Sequence, residues 1–124
     1  MERIVITGMG AITPIGNSIE EYWSNLMAGV SGIGAITHFD ASNSPIQIAA
    51  EIRNFDPTAY MPRKLAGEMD LFMQYAYAAA EQALSDSQLP IEPGRTGIVM
   101  GTALDGLTES GLVQEALTAH GKRV

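Results

Sequence analysis

The chain has 124 residues, enough for one domain or part of one, and its 46% hydrophobic content suffices for a packed core and argues against disorder. Seven basic residues against fourteen acidic ones give a net charge of −7, which argues against nucleic acid or an anionic membrane as a partner. There is no cysteine, which excludes disulfides and a thiol nucleophile from these residues and fits a reducing, cytoplasmic setting.

Met1-Glu2-Arg3 leads straight into a β-branched run, so no secretory leader is expected, and no apolar run approaches the ~18 residues of a membrane span. Ile4-Val5-Ile6-Thr7 predicts a buried strand. The chain then breaks on Gly8, Gly10, Pro14 and Gly16, and Ser18 with Glu21 forms a capping-box pattern at a helix start. Strand, glycine turn and helix open an α/β domain. The Gly8-Met9-Gly10 pair also suits a dinucleotide-binding turn, but Thr13 occupies the third glycine position and Pro14 follows where the helix should run.

Ile19, Tyr22, Trp23 and Leu26 recur at helical spacing over residues 19–28, with Trp23 expected in the core and Gly29 at the C-cap. Residues 30–45, rich in Gly, Ser, Asn and Asp, read as loop. Residues 46–52 alternate, which predicts a half-exposed strand with Ile46, Ile48, Ala50 and Ile52 on one face. Residues 56–68 read as a connector with a short helical turn at 63–66.

Residues 69–87 predict the best helix, capped by Asp70, with Phe72, Met73, Tyr75, Ala76, Ala79, Ala80, Ala83 and Leu84 as its apolar surface. Its small residues predict close contact with a sheet or another helix. Residues 96–100 predict a second buried strand parallel to the first. Residues 107–120 predict a further helix with Leu107, Val113 and Leu117 inward and Gly121 as its cap. His38 reads as a loop residue and His120 as a helix-end residue, neither catalytic, because no nucleophile accompanies them.

The run from Val5 to Gly16 resembles the first strand and turn of the β-ketoacyl-acyl-carrier-protein synthases. The resemblance continues through Tyr22-Trp23, Gly29-Val30-Ser31-Gly32-Ile33, Phe39-Asp40-Ala41-Ser42 and Ile48-Ala49-Ala50-Glu51-Ile52. It goes on through Phe55-Asp56-Pro57, Arg63-Lys64, Met69-Asp70, Gln74-Tyr75-Ala76 and Gly101-Thr102, in family order across essentially the whole chain.

That resemblance implies an α/β, thiolase-like fold of α-β-α-β-α layers, with residues 1–124 a partial N-terminal domain holding only the start of the first half. It implies decarboxylative Claisen condensation of an acyl thioester with malonyl-carrier protein in fatty acid biosynthesis, no metal or cofactor, and a homodimer at full length. No catalytic residue falls within the chain, since the family's cysteine and histidines lie further on. By resemblance, Thr102 and Leu104 belong to the acyl-pocket loop, and Arg63 and Lys64 to the surface that docks acyl carrier protein. Asp105 stands where the family commonly has glycine and is expected to face water or a partner, because a buried unpaired carboxylate is costly. The alternatives are a non-catalytic partner that sets chain length in polyketide assembly and a nucleotide-binding α/β module. Taken alone, the chain is expected to be poorly stable or prone to aggregate, with sheet edges unpaired.

Overall fold

The computed structural model describes residues 3–103, 106, 111, 114, 115 and 117–119. Helix α1 (Ile19–Met27) starts on Ser18, whose hydroxyl accepts from Glu21 N, while the Glu21 carboxylate accepts from Asn17 N at 2.8 Å. The first of these uses a donor the first helical turn leaves free, the second ties down the residue before the cap, and Glu20 and Glu21 suit the positive end of the helix dipole. The helix closes in a Schellman turn: Gly29 N donates to Leu26 O, Val30 N donates to Asn25 O, and Gly29 has φ +69°. Both ends follow the sequence reading.

Strand β1 (Ile33–Ala35) pairs antiparallel with β2 (Ile48–Ala50), Ile33 opposite Ala50. The first of these corrects the expectation of loop over residues 30–45. A three-residue strand centred on Gly34 leaves no alternating apolar signature to read. The second is shorter than expected, and its inward face carries Ala49, half-buried, while Ile48 and Ala50 are exposed. Period two survives, but which face turns inward depends on what packs there.

A 3₁₀ turn, η1 (Pro57–Ala59), begins on Asp56 and leads into the short helix α2 (Arg63–Glu68). The long helix α3 (Leu71–Ser87) is capped by Asp70, which accepts from Leu71 N at 2.6 Å. Of its expected apolar surface, Phe72, Tyr75, Ala76, Ala79 and Ala83 are half-buried while Met73, Ala80 and Leu84 are exposed, and the most buried positions are Ala78 and Gln74. Gln74 is accepted in the interior because its amide donates to Ala66 O and Met69 O, both at 2.9 Å, which ties α2 to α3.

The two expected central strands are not laddered. Residues 4–7 and 96–100 form no strand and have no ladder partners among the described residues, and Ile4 and Val99 are 96% and 97% exposed. Propensity alone does not make a strand; a neighbouring edge about 4.8 Å away must accept its hydrogen bonds. Trp23 is likewise 59% exposed, against the core role expected of it. Of residues 107–120, the described 111, 114, 115 and 117–119 are helical, and Leu117 is exposed rather than inward. Leu107, Val113, His120 and Gly121 lie outside the described residues.

Candidate functional site

The glycine-bearing turn that opens the chain carries a connected polar cluster. Thr13 and Gly16 exchange two backbone hydrogen bonds, Thr13 N to Gly16 O at 2.8 Å and Gly16 N to Thr13 O at 3.1 Å. Asn25 of α1 donates to Ile15 O at 2.7 Å. Gln82 of α3 accepts from Ala11 N at 3.0 Å through its carbonyl and donates to Asn17 O at 2.7 Å and to the Tyr60 hydroxyl at 2.9 Å through its amide. Asp86, one turn further along α3, accepts from Met9 N at 2.9 Å.

Gly8 and Gly10 are needed for that docking. A Cβ on Gly8 would meet the carbonyl of Ala83, and one on Gly10 the carbonyl of Ala79, so the turn lies directly on the alanine stripe of α3. This is the close contact the small residues predict. It also decides the role of the glycines. Their open faces are filled by a helix backbone, which leaves no room for the pyrophosphate that a dinucleotide-binding turn would hold.

Beside the turn, a groove of about 590 Å³ runs between Met9, Ile19, Tyr60 and the Glu81–Asp86 end of α3. Glu20, Glu81 and Asp86 face it, with no cation in its lining. A second groove of about 420 Å³ lies on the other side of the turn, against Asn17 and Arg53. Among the described residues no group of three metal-ligating side chains comes together, and the chain has no thiol.

The residues singled out from sequence occupy separate places. Arg63 and Lys64 form the first turn of α2 and are exposed. Pro62 precedes them without a side-chain cap, and two cations at a helix N-terminus oppose its dipole. Neither forms a salt bridge among the described residues, where Arg95–Glu92 is the pair observed. Thr102 is exposed after residues 96–100, and no hydrogen bond among the described residues joins it to Arg63 or Lys64. Leu104 and Asp105 lie outside the described residues.

Three carboxyls, the exposed Asp40 and Asp56 and the half-buried Glu51, sit below their ordinary range through hydrogen bonding. Asp40 is lowered by Ser42, Glu51 by the Thr37 hydroxyl and amide, and Asp56 by Thr58. Tyr75 is raised by desolvation against Phe55, whose ring meets it edge-on at 4.9 Å. None of these groups adjoins a thiol, and the sequence reading passed over Gln82 and Asp86. Gln74, Ala78, Gln82 and Asp86 share one stripe at four-residue spacing; that spacing was the available signal.

Comparison with known proteins shows the family. Residues 1–123 match the beta-ketoacyl synthase, N-terminal domain family. The chain is 44% identical over 109 residues to the 3-oxoacyl-[acyl-carrier-protein] synthase 2 of Synechocystis sp., covering 86% of this chain and 26% of the relative. It is 44% identical over 124 residues to the protein of the same name from Vibrio harveyi, covering 98% of this chain and 30% of the relative. It thus spans less than a third of these relatives' length.

Among solved structures, a beta-ketoacyl synthase from Burkholderia phymatum STM815 superposes with a TM-score of 0.71 at 26% identity, covering 99% of this chain and 32% of that one. The ishigamide ketosynthase/chain length factor superposes with a TM-score of 0.62 at 38% identity, covering 69% and 21%. The chain therefore belongs to the beta-ketoacyl synthase family, matching its N-terminal domain, and its fold class is the thiolase-like α/β one.

Proposed function

We propose that these 124 residues are the N-terminal part of a 3-oxoacyl-[acyl-carrier-protein] synthase, an acyltransferase of fatty acid biosynthesis. The observation that carries this reading is the 44% identity to the Vibrio harveyi synthase along the full 124 residues, within 30% of that protein's length. The complete enzyme would hold an acyl group as a cysteine thioester. Malonyl-carrier protein would lose carbon dioxide, and the carbanion so formed would attack the thioester carbonyl and expel the thiolate. Donated hydrogen bonds would stabilise the oxyanion of that attack. Since the chain has no cysteine, it would contribute scaffold, contacts of a cytoplasmic homodimer and, through Thr102 and Leu104, part of the acyl pocket.

Arg63 and Lys64 would dock the acidic acyl carrier protein. Their exposure, their lack of ion-pair partners among the described residues and their placement against the α2 dipole support a role outside helix stability. The test is the intact mass of the native product together with the coding sequence beyond Val124. A larger product with a cysteine at a strand-to-helix turn, active in condensing acyl and malonyl thioesters, bears the reading out; a stable 13.2 kDa product refutes it. In the complete protein, Arg63→Glu with Lys64→Glu is expected to lower kcat/KM for carrier-bound malonyl about tenfold or more, while a pantetheine thioester is used unchanged. Equal loss with both substrates would remove the docking role.

The 38% identity to the ishigamide ketosynthase/chain length factor favours one second reading, a non-catalytic partner of a polyketide synthase. A larger product without the cysteine would select it.

A further inference from the structure

We propose that Glu51 is an acid-released clasp that holds the start of the connection between β1 and β2. The last rung of this hairpin is Ile36 N donating to Gln47 O at 3.1 Å. Beyond it the chain turns away, and the amides of Thr37 and His38 lose the ladder as a partner. Glu51, just past β2, takes its place. Its Oε1 accepts from Thr37 N at 3.0 Å and from His38 N at 3.2 Å. Its Oε2 accepts from Thr37 N at 3.1 Å and from the Thr37 hydroxyl at 2.7 Å.

Every group that meets this carboxylate is a donor. An ionised carboxylate is acceptor-only and satisfies all of them, whereas protonation would turn one oxygen into a donor that neither amide can accept, leaving the Thr37 hydroxyl as the one partner able to reverse its bond. The same bonds favour the ionised form and hold the group below its ordinary value, and the charge on His38 adds to this in a lesser degree. His38 is the ionisable neighbour that faces Glu51; Arg53, the nearest cation in sequence, lays its guanidinium against Gly34 of β1 instead. Because the folded-state value is lowered, the contribution is present above the unfolded-state value and is lost as pH falls through the folded one.

The rest of the connection is tied independently. Ser44 N donates to Ala41 O, Asp40 accepts from Ser42 N, and Gln47 donates to Ser42 O, around the buried Ala41. Acid therefore releases residues 37 and 38 and, with them, the exposed Phe39 beside them, while the inner turn keeps its Ser44–Ala41 and Gln47–Ser42 bonds, which involve no ionisable group.

Amide hydrogen exchange read by mass spectrometry with residue-level fragmentation on the complete protein tests this. Wild type, Glu51→Gln and Asp40→Asn are compared at each pH, so that intrinsic exchange chemistry cancels, with α3 amides as internal reference for overall stability. Near neutral pH, Thr37 and His38 should exchange roughly five- to tenfold faster in Glu51→Gln than in wild type, relative to α3. That ratio should close as acid passes below the ordinary carboxylate range, and Asp40→Asn should leave both amides as in wild type. Equal exchange in wild type and Glu51→Gln at neutral pH would overturn the proposal. So would a ratio that closes near the ordinary histidine value of about 6.5, which would assign the device to His38.

Discussion

Gln82 uses both ends of one carboxamide to join three segments distant in sequence: Ala11, Asn17 and Tyr60 all bond to it. Replacing it by alanine leaves an amide, a carbonyl and a hydroxyl to find water in a partly buried place. Gln82→Ala is expected to cost about 2–3 kcal/mol, read as a lower denaturant midpoint. An unchanged midpoint would mean that water already shares those bonds. The glycines make a sharper comparison. Gly10→Ala drives a Cβ onto the Ala79 carbonyl and should cost about 2 kcal/mol or more, while Gly67→Ala in α2 meets nothing within 4 Å and should gain up to about 1 kcal/mol from helix propensity. These roles differ in legibility. That Gly8 and Gly10 permit close approach is readable beside the alanines of α3; that Gln82 is the fastening is not, because a glutamine amid alanines carries no mark of what it will meet.

At the scale of elements, local chemistry was readable wherever it closes on itself. The Ser18 cap, the Gly29 turn and the Asp70 cap each satisfy orphan helical groups within a few residues, so the sequence alone places α1 and α3 within a residue or two. The C-terminus of α3 is the exception. Gln88 adopts φ +51° where glycine would be unstrained. Gln88→Gly is therefore expected to raise the thermal midpoint by the equivalent of about 0.5–1 kcal/mol. A fall would show that the glutamine side chain contributes more than the backbone strain removes. The strands were less legible because their hydrogen bonds reach outside themselves: β1 lacks a pattern, β2 is shorter than its alternation, and residues 4–7 and 96–100 have the composition of strands without a ladder among the described residues.

For the whole molecule, those two segments dominate the surface. Ile4, Ile6, Ile98 and Val99 are exposed together with Trp23 and Met27, far more apolar surface than a soluble monomer ordinarily presents. The 124-residue chain is expected to self-associate. Val99→Lys should reduce concentration-dependent light scattering while leaving the thermal midpoint of the chain unchanged. In a complete synthase the same substitution should cost several kcal/mol, because a central strand would bury that side chain without a partner for its charge. Equal tolerance in both would place Val99 at the surface of the complete fold.

What the sequence by itself determined is the family, the helices with their caps and the absence of a thiol, because these rest on residue identity and on contacts a few residues long. Tertiary structure alone decided which faces turn inward, that Gln82 and Asp86 fasten the opening turn to α3, and that the β-branched runs stand unpaired among the described residues. Burial and strand pairing are properties of a neighbour as much as of the residue, and a neighbour is fixed only when the chain has folded.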